Sequence, residues 1–330
     1  MTDPFATAQV GQTALRVARF GLGTAPLGGW PAGVEFDDGV ATVQHAWDRG
    51  VRFFDTAPFY GFGKSERMLG EVLATVPRDD FVISTKVGRV LTDEPLSAEL
   101  RDFFKGGDDH TPAFDFSHDG VMRSLESSLE RLQLDRVDIV LIHDPDDHHD
   151  EALDGAFKTL DALRADGTIG AVGVGMNWSE PLARFAREAE FDIFLLAGRY
   201  TLLEQDSMDE LLPAVAEKGM SIIAGGVYNS GVLADPDAQA RYNYADAPSD
   251  VVDRARAIRD VCAEFGVPLR AAASQFPLAN PSIATVAIGS RTPSELDDNI
   301  EMLTFDVGDE LWNALRDRGL IRKDAPTPAG

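Results

Sequence analysis

Cysteine is nearly absent from this chain of 330 residues, in which Cys262 is the only one. A lone cysteine cannot form an internal disulfide bond, so the fold does not depend on an oxidising compartment. Long apolar runs are also absent, and none approaches the roughly 20 residues of a membrane-spanning helix. Residues 1–6 lack the basic and apolar regions of a signal peptide. These absences predict a cytoplasmic protein that does not bind a membrane.

Basic residues are scarce as well, because 30 Lys and Arg stand against 55 Asp and Glu, for a formal net charge of -25. This charge disfavours nucleic acid and anionic membranes as partners, since both need a basic face. The hydrophobic share of 44% and the charged share of 26% are ordinary for a globular protein and exclude wholesale disorder.

Short apolar segments alternate with helical ones from end to end. Eight segments have the composition of strands that are buried on both faces. They span residues 19–23, 51–55, 81–86, 137–143, 171–175, 193–197, 220–224 and 283–288. Helical spacing of apolar residues predicts helices between them, at 37–47, 119–132, 151–165, 180–188, 206–218, 250–265 and 293–303.

Eight strand–helix alternations predict an α/β fold of the (β/α)8 or TIM-barrel type. The main alternative is an open doubly wound sheet, which is usually marked by Gly-x-Gly-x-x-Gly after its first strand. Here Gly21 and Gly23 are followed by Pro26 at the third position, so the fingerprint is absent.

We expect one domain over residues 1–330. Loops after barrel strands lie at the active face, which predicts that the long segments 90–117 and 228–250 border the site. The end of the chain, 322–330, has the composition of a frayed tail. The oligomeric state stays open.

Three predicted strands end on an ionisable residue: Asp55, Lys86 and His143, and Tyr60 follows the first of them on a Gly/Pro-rich loop. Taken alone, Asp55 can be a turn former, Tyr60 a packed aromatic and His143 a satisfied structural histidine. Lys86 is harder to explain, because buried lysines are rare unless paired. Their joint position at the strand ends of one barrel predicts a site.

These four residues suit proton transfer by a tyrosine. An unperturbed tyrosine has a pKa of about 10, which is too high for efficient exchange near neutral pH. We expect Lys86 to lower the pKa of Tyr60, Asp55 to hold Lys86 by a salt bridge, and His143 to orient a substrate oxygen. The missing partner is a two-electron carrier, for which a nicotinamide cofactor is the natural complement.

No metal site is predicted. The adjacent pair His148 and His149 lies in an acidic loop and is interpreted as solvated surface. A metal-dependent hydrolase or sugar isomerase on the same barrel would need clustered His and carboxylate ligands at strand ends, where only His143 qualifies clearly.

Several motifs resemble those of the aldo-keto reductase family over nearly the whole chain. They occupy residues 54–61, 65–70, 85–88, 123–132, 138–143, 173–177 and 288–293, with Asn299 beyond them. The resemblance implies that Asp55, Tyr60, Lys86 and His143 form the catalytic tetrad of that family. The long insertion, with segments 143–147, 197–203 and 229–231, resembles more narrowly the bacterial aldose 1-dehydrogenases, the L-fucose, D-threo-aldose and galactose type, and a relative that oxidises pyridoxal.

The resemblance also implies which residues hold the nicotinamide cofactor. Carried over position by position, they are Thr24, Asp55, Asn177, Gly225, Ser290, Arg291, Glu295, Asp298 and Asn299. Gly225 replaces the aromatic residue that stacks on nicotinamide, and Ala197 replaces a common Gln, so the clamp on the ring is altered. Glu295 stands where NADPH-preferring members often have a basic residue, so we expect NAD, with NADP use possible through Ser290 and Arg291.

The activity implied is oxidation of the anomeric carbon of an aldose to a lactone, so the partner is a small aldose or aldehyde. The alternatives are an NADPH-dependent aldehyde or ketone reductase and a pyridoxal 4-dehydrogenase. A non-catalytic cofactor-binding regulator is more remote, because it has no need of all four polar residues. Asp144 and Asp146 either bind sugar hydroxyls or cap the following helix, and the second interpretation is preferred.

Overall fold

Eight parallel strands close into a barrel in the computed structural model, which describes residues 3–238 and 241–328. We number them β1 to β8 in chain order. They are Phe20–Gly23, Phe53–Asp55, Val82–Val87, Ile139–His143, Ala171–Met176, Ile193–Ala197, Ser221–Gly225 and Ile283–Gly289. Each pairs in parallel with its neighbour in sequence, and β8 pairs with β1 to close the ring. The predicted (β/α)8 barrel is therefore confirmed, and all eight predicted strands are present.

Helices surround the barrel and cover its apolar outer surface. They are Phe36–Asp48, Lys64–Leu73, Ala98–Phe103, His118–Leu132, His149–Glu151, Lys158–Ala165, Ser179–Glu188, Leu211–Lys218, Ser249–Glu264, Leu269–Gln275, Pro293–Thr304 and Asp309–Asp317. A π-helical segment, Ala152–Phe157, joins the fifth and sixth of these. The helices Ala98–Phe103, Leu269–Gln275 and Asp309–Asp317 were not predicted. In residues 3–238 and 241–328 no helix is long and apolar enough to cross a membrane.

The N-terminal end of the barrel is closed by a hairpin. Strands Thr7–Gln9 and Arg16–Ala18 pair antiparallel. Val10, directly after the first strand, and Val17, within the second, are fully buried against side chains inside the barrel. The interior contains apolar residues from alternating strand positions, such as Leu141. Because this end is plugged with apolar side chains, polar chemistry is confined to the C-terminal ends of the strands.

The predicted active-face loops contain local structure that their composition did not reveal. In the first, Arg89–Thr92 pairs with Thr111–Phe114. In the second, Arg241–Tyr242 pairs with Ala245–Asp246, while residues 239 and 240 lie outside the described residues. Lys64 fixes the first loop to the barrel, because its ammonium donates to the carbonyl oxygens of Val34 at 2.6 Å and Gly106 at 2.7 Å.

The predicted frayed tail is wrong for residues 322–328. The backbone N–H of Arg322 donates to Gln205 Oε1 at 2.9 Å, and the Arg322 guanidinium pairs with Asp209 at 2.6 Å. Ala325 is buried, and its carbonyl oxygen accepts a hydrogen bond from Arg316. These contacts offset the entropy that ordering the segment costs. The last two residues, 329 and 330, lie outside the described residues.

Candidate active site

The four predicted polar residues meet at the C-terminal face of the barrel. Asp55 ends β2, Lys86 lies near the end of β3, His143 ends β4, and Tyr60 is on the turn that follows β2. Tyr60, Lys86 and His143 line one cavity of about 290 Å³. The strand ends bring these residues together because neighbouring parallel strands point their carboxyl ends to the same face.

Asp55 and Lys86 form the expected ion pair. Lys86 Nζ donates to Asp55 Oδ1 at 3.0 Å and Oδ2 at 2.9 Å, and its third hydrogen bond goes to the Thr56 carbonyl oxygen at 2.8 Å. The Ser84 hydroxyl also donates to Asp55 Oδ1, at 2.7 Å. Lys86 is only 1% exposed. All three of its donors are therefore satisfied, which is what a buried ammonium requires.

Tyr60 lies against this pair, with Lys86 Nζ 4.6 Å from the centre of its ring. Burial raises the pKa of Tyr60 well above its ordinary value, and the charge of Asp55 adds to this rise. The expected lowering of the Tyr60 pKa by Lys86 is therefore wrong for the protein alone. The physical reason is that burial of the phenol disfavours the phenolate, and the negative charge of Asp55 disfavours it further. Tyr60 is a protonated acid at neutral pH.

His143 is buried beside Tyr60, and the two rings meet edge to face with centres 5.9 Å apart. Burial lowers the pKa of His143 well below its ordinary value, and the positive charges of Arg89 and Lys86 lower it further. The ring is therefore neutral. Its Nδ1 atom is buried and has no hydrogen-bond partner in the part of the chain that the structure describes. A neutral imidazole in the cavity wall suits a hydrogen bond to a substrate oxygen.

Aromatic side chains from the segments after four different strands line the cavity. They are Trp30, Phe59, Phe103, Phe104 and Tyr244. Tyr244 lies in the two-residue turn between Arg241–Tyr242 and Ala245–Asp246, with a φ of +66°. The centre of its ring is 5.0 Å from that of Trp30 and 5.9 Å from that of Phe103. Sequence patterns did not reveal these residues as a group, because their loops have no period and lie far apart in the chain.

Two charged residues of the cavity wall were also missed or misread. Arg89, directly after Gly88, was not singled out, although a charge so close to the end of a buried strand was an available signal. Asp144 was interpreted as a helix cap, but it lines the cavity and accepts a hydrogen bond from Arg89 at 2.7 Å. Asp146 does not line this cavity and instead borders a surface depression with His148.

The adjacent histidines His148 and His149 contact different carboxylates. His148 Nδ1 lies 3.1 Å from Glu151, whereas His149 Nε2 lies 2.8 Å from Glu188. The two rings therefore turn to different carboxylates. Among residues 3–238 and 241–328, no group of three or more His, Cys, Asp or Glu could hold a metal ion.

The residues expected to hold the cofactor lie at the ends of β1, β2, β5, β7 and β8, and in the helix Pro293–Thr304 that follows β8. Asn177 follows β5 and lines the cavity, and Thr24 is buried with its hydroxyl donating to the Asp55 carbonyl oxygen at 2.9 Å. Asn299 Nδ2 donates to Ser290 Oγ at 3.0 Å, and its Oδ1 accepts from the Tyr228 hydroxyl at 3.0 Å. The Asp298 carboxylate does not join this hydrogen-bonded group and instead accepts a hydrogen bond from Arg270.

Gly225 leaves space beside the cavity. A Cβ atom built there would have its nearest neighbour, Leu195, at 3.4 Å and Ala197 at 3.7 Å, which is ordinary van der Waals contact. Packing therefore does not require glycine at this position. Together with the small side chain of Ala197, it forms a cradle at the ends of β6 and β7. A flat ring fits such a cradle, so the residues present are compatible with a nicotinamide.

A second ion pair, directly after β8, determines the charge where the adenosine end of the cofactor is expected to bind. Arg291 Nη2 donates to Glu295 Oε1 at 2.7 Å, and the Arg291 backbone N–H donates to Glu295 Oε2 at 2.8 Å. The carboxylate thus occupies one guanidinium nitrogen, Nη2, and the backbone N–H of Arg291. A phosphate would have to displace Glu295 to bind them.

The comparison with known families agrees with this geometry. The sequence profile described as "Aldo/keto reductase family" matches residues 19–318. The chain belongs to the aldo-keto reductase family. It is therefore an oxidoreductase enzyme, and it uses a nicotinamide cofactor. When bound, that cofactor supplies the chemistry of hydride transfer.

Among curated relatives of this aldo-keto reductase, the pyridoxal 4-dehydrogenase of Microbacterium luteolum is 41% identical, over 94% of this chain and 97% of that one. The D-threo-aldose 1-dehydrogenase of a Pseudomonas species is 40% identical, over 99% of each. Among solved structures, an aldo-keto reductase from Bacillus halodurans in its holo form superposes with a TM-score of 0.74 at 22% identity, over 99% of this chain and 98% of that one. The last comparison supports the barrel fold alone.

Proposed function

We propose that this enzyme oxidises the anomeric hydroxyl of an aldose to a lactone, with NAD as the hydride acceptor. The observation that carries the proposal is the convergence of Tyr60, Lys86 and His143 on one cavity, with Asp55 behind Lys86. Such an arrangement supplies one proton donor–acceptor, one neutral hydrogen-bond partner and one buried ion pair. The 40% identity to an aldose 1-dehydrogenase supports the sugar as substrate class.

Tyr60 is the group that exchanges the proton with the substrate oxygen. In the oxidative direction its phenol must first lose a proton, and burial opposes this by raising its pKa. The oxidised nicotinamide carries a positive charge, and a nearby positive charge favours the phenolate. His143 holds the substrate hydroxyl without competing for its proton, because its own pKa is low. Lys86 and Asp55 keep the floor of the site rigid and nearly neutral.

The preference for NAD over NADP rests on Glu295. Its carboxylate neutralises Arg291, which would otherwise attract the 2′-phosphate of NADP. A carboxylate at this point repels a phosphate and accepts hydrogen bonds from ribose hydroxyls. Ser290 is fully buried and already bonded to Asn299, which leaves it less available as a phosphate ligand.

Pyridoxal is the second candidate substrate. Aromatic side chains form much of the cavity wall, and they suit a flat heteroaromatic ring as well as the apolar face of a sugar. A relative that is 41% identical is a pyridoxal 4-dehydrogenase. An NADPH-dependent carbonyl reductase remains the alternative for the same scaffold.

A spectrophotometric screen tests this function. Aldoses and pyridoxal are each offered with NAD and with NADP, and simple aldehydes are offered with NADH and with NADPH. The proposal expects the highest kcat/KM for an aldose with NAD. Turnover of simple aldehydes with NADPH, without oxidation of any aldose, would contradict it. The variant Tyr60→Phe serves as the control for background reaction.

A further inference from the structure

The cavity wall contains an ion pair outside the tetrad. Arg89 follows β3 and Asp144 follows β4, and their side chains are 19% and 22% exposed. The guanidinium lies between two rings, 4.3 Å from the centre of Phe59 and 4.9 Å from that of Phe114. These contacts hold the pair in one orientation beside the reacting centre.

Stability alone does not explain this pair. A buried ion pair usually gains no more than well-packed apolar residues of the same volume would. Asp144 also has φ +43°, a left-handed conformation that costs free energy for a residue other than glycine. Strain of this kind persists at sites of function, where the surrounding structure maintains it.

Unpartnered polar atoms point in the same direction. Within the residues that the structure describes, four buried side-chain nitrogen or oxygen atoms have no hydrogen-bond partner. Two of them, Arg89 Nε and His143 Nδ1, belong to residues that line this one cavity. A buried polar atom without a partner is costly and rare, so two of them in one cavity wall mark it as a site of function rather than of packing alone.

The position of Asp144 defines which oxygen it can reach. Asp144 Oδ2 lies 3.6 Å from His143 Nε2, the ring assigned above to the reacting oxygen of the substrate. Oxygens on neighbouring carbon atoms of a sugar are separated by roughly a hydrogen-bond length. His143, which holds the reacting oxygen, and the Asp144 carboxylate beside it are therefore spaced to contact two oxygens on adjacent carbon atoms of one substrate.

We propose that Arg89 and Asp144 are specificity-determining residues that recognise a hydroxyl group on the carbon next to the reacting carbon. The hydroxyl donates to Asp144 and accepts from Arg89, so the pair needs both its charges. This inference rests on the proposed function and deepens it, because it selects polyhydroxylated substrates. A pyridoxal phenolate beside its aldehyde would instead be repelled by Asp144, which separates the two candidate substrates.

The test compares substrates that differ only in this hydroxyl. One comparison is oxidation of an aldose against its 2-deoxy analogue with NAD. The other is reduction of lactaldehyde (2-hydroxypropanal) against propanal with NADH, which does not depend on aldose oxidation. For each pair the ratio of kcat/KM values measures the preference for the hydroxyl. Failure of aldose oxidation would contradict the proposed function, whereas the ratio for the two aldehydes would still test the pair.

Asp144→Asn is the main variant and Asp138→Asn its matched control. Asp138 precedes the same strand, at its opposite end, and pairs with Arg78 at 2.8 Å with similar exposure, 13% and 16%. We expect Asp144→Asn to lower the preference ratio about 10- to 100-fold, the range for a hydrogen bond to a charged group. Asp138→Asn should leave the ratio at its wild-type value, even if it lowers the melting temperature.

An unchanged ratio in Asp144→Asn would overturn the proposal. If the activity on both members of each pair fell by the same factor, the ratio would be unchanged and Asp144 would have a structural role only. If Asp144→Asn does not fold, Arg89→Lys keeps the charge but loses the fork of donors. It is expected to lower the same ratio, and an unchanged ratio in that variant would refute the inference equally.

Discussion

Breaking the Asp55–Lys86 ion pair is expected to destabilise the barrel strongly. In Asp55→Asn the Lys86 ammonium keeps its bond to the Thr56 carbonyl but loses its countercharge in a position that is 1% exposed. In Lys86→Met the Asp55 carboxylate keeps only the Ser84 hydroxyl among its side-chain partners. Removing one member of a buried pair typically costs about 3–5 kcal/mol. Each single variant should lose about that much free energy of unfolding.

The double variant distinguishes charge from packing. Asp55→Asn/Lys86→Met removes both charges, so neither is left buried alone, and its loss should be smaller than the sum of the two single losses. A double-mutant cycle by urea unfolding should give a coupling of about 2–3 kcal/mol. The exposed pair Lys158–Asp154 is the control, and its cycle should show no measurable coupling. Additive losses at Asp55 and Lys86 would refute the account of this pair.

The same variants test the electrostatics of Tyr60. The Asp55 charge contributes to the raised pKa of Tyr60. Asp55→Asn should therefore lower the phenol pKa, and Lys86→Met should raise it further. Ultraviolet titration measures the Tyr60 pKa in each variant, once the titration curve of the same variant carrying Tyr60→Phe has been subtracted. A shift of the same sign in both variants would show that the two charges do not act on Tyr60 as described.

Three further predictions concern single residues. Glu295→Lys removes a repulsive charge and frees Arg291, so the ratio of kcat/KM for NADP to that for NAD should rise by at least about tenfold. Burial lowers the pKa of His143 in the folded protein below its ordinary value of 6.5. As the pH falls below 6.5, the unfolded chain gains a proton at this residue and the folded chain does not, so acidification lowers the free energy of unfolding. In His143→Gln the free energy of unfolding, measured by urea titration, should fall less between about pH 7 and about pH 5 than it does in the wild type. Tyr244→Ala removes one aromatic wall at an exposed hairpin tip, so KM for the substrate should rise about five- to tenfold with little change in melting temperature.

The barrel and the tetrad were predictable because both depend on strands. Each strand is a short apolar segment that is buried on two faces, and this composition is visible without knowledge of the partners. Asp55, Lys86 and His143 stand out because a charged or titratable residue closes such a segment. The ion pair between Asp55 and Lys86 followed from the cost of burying a lysine.

The rest of the site could not be predicted, because it depends on contacts between distant loops. Trp30 and Tyr244 are 214 positions apart and come together only in the folded chain. The raised pKa of Tyr60 depends on the burial of its phenol and on its distance from Asp55, and residue type alone shows neither. Asp144 follows the site histidine directly, yet sequence alone did not separate a cavity residue from a helix cap.

The most direct test of the central assignment is the initial rate of NAD reduction with a panel of aldoses, compared between the wild-type enzyme and Tyr60→Phe. We expect aldose-dependent NADH formation by the wild type and a decrease in kcat of at least about 10²-fold in the variant, the scale of general acid–base catalysis. NAD should still bind to Tyr60→Phe with its wild-type Kd. Near-normal turnover by Tyr60→Phe, or no oxidation of any aldose by the wild type, would contradict the assignment.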